Sequence, residues 1–144
     1  MRAEHFDMRF TTYNGHDGRE IEHPSWTQIE DAIRKIDSET NCFAILTTNT
    51  GDYLQCAGGQ TAVTLEFRQI EEGGFKHFVL GKGQATSAIG AVWSKIDCKI
   101  GPIWIHKEEE LTLDEAVMAF RYFFDNSDIN NDFKKRNITK LLDR

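Results

Sequence analysis

Between Phe43 and Leu80 the chain runs through four short alternating stretches, each closed by a turn signal. They are Phe43–Thr48, Tyr53–Ala57, Thr61–Arg68 and Phe75–Leu80, separated by Asn49-Thr-Gly-Asp52, Gly58-Gly59 and Glu71-Glu-Gly-Gly74. A period of two puts Val63, Leu65 and Phe67 on one face and Thr64, Glu66 and Arg68 on the other. That pattern predicts an antiparallel meander with one packed face and one wet face. Phe6, Met8 and Phe10 alternate in the same way and predict a strand over residues 6–13. It turns at Asn14-Gly15 or Asp17-Gly18 and returns through Arg19–Glu22.

Helical spacing appears twice. Ser25 is an N-cap with Gln28 three residues on, and Trp26, Ile29, Ile33 and Ile36 recur on one side, predicting a helix over 26–37. Thr112 and Glu115 form a second capping box, followed by a stripe of Leu113, Val117, Phe120 and Phe124 with Ala116 and Phe123 beside it. Residues 81–90 are small and flexible and read as a loop. Ala91–Trp93 and Ile103–Ile105 read as two more strands about a Gly101-Pro102 turn. From about residue 126 the tail is polar, then basic, with room for one short helix ending at Leu141-Leu142. The expectation is one α+β domain over 1–144, an antiparallel β-sheet meander with two main helices packed on one face.

With 144 residues, such a domain buries roughly two-thirds of its unfolded surface. No stretch of about 18 apolar residues exists to span a membrane, and the first ten residues lack the apolar core of a signal peptide. The three cysteines, Cys42, Cys56 and Cys98, form no C-x-x-C pair, which predicts free thiols and a cytoplasmic protein. Cys42 and Cys56 flank the first hairpin as possible neighbours, although a small buried hydrophobe is the expected role. The net charge of −6 is uneven. Residues 131–144 carry five basic side chains against two acidic ones, +3, which leaves −9 for the body. An acidic body repels phosphates, which disfavours nucleic acid as a partner and suits a basic protein.

Candidate chemistry is sparse. His106-Lys107-Glu108 matches the H-x-E half of a zinc deaminase signature, but the P-C-x-x-C half is missing and the metal would lack ligands. Gly81-Lys82-Gly83 fails the spacing of both phosphate-binding glycine loops. Ser87 and Ser94 lie in no nucleophile elbow. His16 and His23, with Glu20 and Glu22 between them, could be pictured as a metal cluster, but on a strand His23 and Glu22 point to opposite faces. No catalytic residue, metal site or cofactor is therefore expected. Acidic clusters remain at Glu71-Glu72, on a predicted hairpin tip, and at Glu108-Glu109-Glu110, beside Trp104. Carboxylates next to an aromatic anchor suit an interface, with the carboxylates imitating phosphate. Solvated faces and a helix N-terminus explain the same charges without a partner.

Several segments in order carry a resemblance. Pro24-Ser-Trp26 opens a helix that closes at Ile36-Asp37. Tyr53-Leu-Gln-Cys-Ala-Gly-Gly59, Leu65-Glu-Phe-Arg68 and Phe75-Lys-His-Phe78 follow, then Leu113-Asp-Glu-Ala116 leading to Phe123-Phe124. Over residues 8–125 the chain resembles the immunity protein type one family of bacterial polymorphic toxin systems. The resemblance implies a small α+β protein that binds and neutralises a co-encoded toxin, often of the deaminase fold. The family often has Gly after the second helix and a Trp-bearing tail; this chain has Asn126-Ser127 and a basic tail without Trp. The rivals are a small enzyme assembling a site from His5, His16, His23, His77 or His106 with neighbouring Glu, and a non-enzymatic adaptor.

Overall fold

The structure, a computed structural model, describes residues 7–14, 17–83 and 92–142. The alternating runs become strands β1 (Arg9–Asn14), β2 (Asp17–Glu22), β3 (Phe43–Thr47), β4 (Tyr53–Gly58), β5 (Val63–Glu71) and β6 (Gly74–Gly81). Two later runs, β7 (Trp93–Ile96) and β8 (Ile103–His106), pair as a separate hairpin, and β9 (Lys134–Asn137) follows near the end. The main sheet is antiparallel, in the order β2-β1-β3-β4-β5-β6-β9. Phe6, the predicted 81–90 loop beyond Gly83, and Ala91 lie outside the described residues.

Register aligns one face for burial. Phe10, Leu46, Leu54, Phe67 and Phe78 lie directly opposite one another across five strands. Two main helices, α1 (Trp26–Arg34) and α2 (Leu113–Asn126), close over this row. Ile29 and Ile33 from α1 and Phe120 and Phe123 from α2 are fully buried in the same cluster. The fold is the expected α+β arrangement, with both main helices on one face.

Both capping boxes form. Ser25 Oγ accepts from the Gln28 amide at 3.1 Å and Gln28 Oε1 from the Ser25 amide at 2.9 Å. Thr112 and Glu115 reciprocate at 3.1 and 2.9 Å. α1 stops short of residue 37 because the amides of Lys35 and Ile36 reach back only three residues, to Ala32 and Ile33. Asp37 then accepts from the amides of Glu39 and Thr40, which turns the chain. The Thr40 hydroxyl and those amides hold the Asp37 carboxyl below its ordinary pKa. α2 ends with Ser127 in the left-handed region at φ 57°, a conformation for which glycine is the usual residue.

Two features depart from expectation. The basic tail supplies an edge strand as well as the short helix α3 (Thr139–Leu142). Lys-Lys-Arg-Asn shows no apolar alternation, yet it completes the open edge of β6. The Lys135 ammonium lies 5.8 and 5.9 Å from the Phe67 and Phe78 ring centres, and Phe133 and Ile129 anchor the approach to the strand in the core. A charged edge also discourages pairing with another sheet. The second departure is a disulfide. Cys42, just before β3, is bonded to Cys98 in the β7–β8 turn, so the expectation of three free thiols is corrected to one. Cys56 is fully buried, and burial pushes its thiol pKa up, away from thiolate chemistry.

Candidate partner-binding surface

The second face of the sheet is covered only in part. Val79 on β6 meets Ile96 and Ile105 of the hairpin in a small cluster, with Ile103, Ala62 and Ile138 packed beside it. The inward phase of β7 and β8 is therefore set by Ile96 and Ile105. Trp104 on β8 takes the opposite phase, directly opposed to Lys95 on β7. Trp93 instead stands edge-on to the buried His106 ring, 4.6 Å between ring centres, and 5.9 Å from the Arg136 guanidinium of β9. Trp93 and Trp104 are 54% and 61% exposed. The disulfide holds the turn of this hairpin to the start of β3, so the tryptophans stand on a fixed support.

The predicted site residues are not brought together. Trp104 is exposed as an anchor should be, but its directly opposed neighbour is Lys95 rather than an acid. Glu71 and Glu72 are exposed at the β5–β6 tip, with Glu71 3.8 Å from Lys76. Glu108, Glu109 and Glu110 fall on and just after a short 3-10 turn (Lys107–Glu109) and point different ways. Glu109 is 3% exposed; its carboxylate accepts from Arg136 Nε at 2.7 Å and Nη2 at 2.8 Å, and from the His106 amide at 2.7 Å. It is a structural brace, and a partner cannot reach it. Gly81 makes room, since a Cβ there would stand 3.0 Å from Glu109 Cγ. Glu108 Oε2 lies 3.6 Å from His106 Nδ1. Glu110 accepts from the Ser94 hydroxyl and from Lys107 Nζ at 2.9 Å, and these two hold its carboxyl below the ordinary value.

One titratable cluster was not anticipated as a unit. On the second face, Arg68 Nε donates to the buried His77 at Nδ1 over 3.0 Å, and His77 Nε2 lies 2.6 Å from Glu66 Oε1. A ring nitrogen that accepts carries no proton, so the network assigns the imidazole hydrogen to Nε2, directed at Glu66. The Arg68 guanidinium stacks 3.8 Å from the Phe75 ring centre, and Thr139 Oγ1 accepts from the His77 amide. Both ring nitrogens are engaged, so neither is free to take a proton from a substrate. Period-two spacing alone placed Glu66 and Arg68 on one face; their pairing with His77 depends on the β5–β6 register.

Beside Trp93 a groove of about 800 Å³ opens between the hairpin, β6 and α3. Phe75, Ile138 and Leu141 give it apolar walls; Lys76, Lys140 and Glu71 line it with charge, and Arg136 is there too with its charge met by Glu109. Sequence reasoning passed over Trp93 and Leu141. The signal for Trp93 was present, because period two puts it on the same strand face as Lys95, two residues on. Among the described residues no group of three or more His, Cys, Asp or Glu side chains is gathered to hold a metal ion, and no helix is long and apolar enough to cross a membrane. No known protein-family model matches this chain, and no curated protein matches it.

Proposed function

We propose that the protein acts by binding, as an immunity protein that neutralises a co-encoded bacterial toxin by covering the toxin's active site. The observation that carries this reading is a pair of exposed tryptophans on a hairpin held to the sheet by its own small core. Trp is enriched among the residues that dominate interface energetics, and a fixed support lowers the entropic cost of binding. The resemblance in residues 8–125 supplies the kind of partner. The enzyme rival is weakened by His77, whose ring nitrogens are both used internally.

Co-expression with the toxin domain encoded beside this chain should restore growth, and the two proteins should co-purify. If a His77→Gln variant still forms the complex but no longer protects, the protein acts by chemistry and the proposal is wrong.

Protection of the producing cell places the action in the cytoplasm, and that location makes a demand on the disulfide. Disulfides are rare in reducing compartments. Thiol trapping in intact cells should find Cys42 and Cys98 reduced, with the bridge forming after lysis. A bridge trapped intact in cells would instead place the protein in an oxidising compartment.

A further inference from the structure

Six of the nine large apolar side chains exposed among the described residues belong to the β7–β8 hairpin, the residue before it and α3: Val92, Trp93, Ile100, Trp104, Leu141 and Leu142, with Trp93 and Leu141 lining one groove. Concentrations of this kind mark contact surfaces, whereas scattered single residues do not. The charges interleaved with them are mainly positive. Lys95 is directly opposed to Trp104, Lys99 lies in the same hairpin's turn, and Lys76 and Lys140 stand on the groove. Lys99 and Lys140 take part in no ion pair among the described residues, and the Lys95–Asp97 and Lys76–Glu71 contacts are long, exposed and weak. Acids are present too: Glu71 lines the groove and Asp97 lies between Lys95 and Lys99, while Glu109 is withdrawn into its bond with Arg136, whose charge it offsets. Four lysines (Lys76, Lys95, Lys99 and Lys140) against the two exposed acids Glu71 and Asp97 leave this patch with a positive excess on a chain whose net charge is −6.

We infer that this surface receives an acidic, apolar segment of a partner protein, with an aromatic or leucine-like side chain entering the groove beside Trp93 and carboxylates flanking it. The inference rests on the proposed binding role and replaces phosphate imitation by glutamates with the opposite polarity. A groove of about 800 Å³ accommodates one or two large side chains. An acidic segment is repelled by the rest of the body and admitted at this patch, so the charge pattern selects the docking position. A concave groove suits an inserted side chain; a lipid surface is better met by a convex apolar prow.

The test uses two probes. A phage-displayed random 12-residue peptide library is panned on the intact wild-type protein, and the recovered peptides are measured by fluorescence anisotropy. Expected are peptides with carboxylates on both sides of an aromatic or leucine. Their affinity should fall roughly 30-fold or more in Trp104→Ala and by about tenfold in Lys140→Glu, and should weaken as salt rises. All these positions are exposed, so the variants should keep the wild-type melting temperature. Recovery of basic peptides, of none, or of peptides indifferent to Trp93, Trp104 and Lys140 overturns the inference. So does binding of the wild type to vesicles of phosphatidylcholine and phosphatidylglycerol without peptide enrichment. The second probe is the neighbouring toxin domain. If it binds the wild type and a Trp93→Ala/Trp104→Ala variant equally, the inference fails while the binding role stands. If it does not bind the wild type at all, the binding role itself fails.

Discussion

The two faces of the seven-stranded sheet solve different problems with the same strands. On one face, a row from Phe10 to Phe78 is sealed by α1 and α2, and nearly every large side chain is fully buried. On the other, three buried aliphatic residues and one disulfide hold a hairpin that leaves two tryptophans in solvent. Burial of apolar surface supplies most folding free energy, so the first face carries stability. The second face spends little of its aromatic area on folding and leaves it for a partner. Position on a face, more than residue type, decides what an aromatic residue contributes.

Truncation on each face sharpens this contrast most. Phe120→Ala should cost about 3–5 kcal/mol in a denaturant melt, because a fully buried ring leaves a cavity. Trp104→Ala should cost no more than about 0.5 kcal/mol, as expected of an exposed position. Equal costs would erase the division between the faces.

Replacing Cys42 and Cys98 by Ser tests how the second face is held. The bridge closes a 56-residue separation. Its loss should therefore cost up to about 4 kcal/mol on the chain-entropy account. Thiol titration of the denatured, unreduced protein should find one free thiol, Cys56. Three thiols would show that the hairpin is held by Val79, Ile96 and Ile105 alone.

A smaller effect comes from acid. The Ser94 hydroxyl and the Lys107 ammonium depress the Glu110 carboxyl below its ordinary value of 4.5. A carboxyl with a lowered folded-state pKa contributes stability above its unfolded value and loses it as pH falls through the folded one. Tryptophan fluorescence of the hairpin should shift in acid below about pH 4.5, and Glu110→Gln should remove that step. A step unchanged in the variant would place the acid-sensitive group elsewhere.

How much of this was legible in the sequence follows the range of each interaction. The α2 stripe and both capping boxes depend on residues three or four apart, and these formed as read. The strands from β3 to β6 followed from alternation and turn residues. β9 was not legible, because Lys134–Asn137 is a strand only by virtue of β6's vacant edge. The inward turn of Glu109 depends on Arg136, 27 residues later, and the Cys42–Cys98 pairing on a hairpin folding back across the sheet. Trp104 was singled out as a partner anchor and is exposed, but the charge around it was read from sequence neighbours rather than from Lys95 across the hairpin.

The most direct measurement is hydrogen–deuterium exchange of the protein alone and in complex with the neighbouring toxin domain. A hairpin-centred interface predicts added protection in residues 92–107 and 138–142, with α1 and α2 unchanged. Added protection on the α2 surface around Met118 and Tyr122, with the hairpin unchanged, would contradict the account and move recognition to the helical layer.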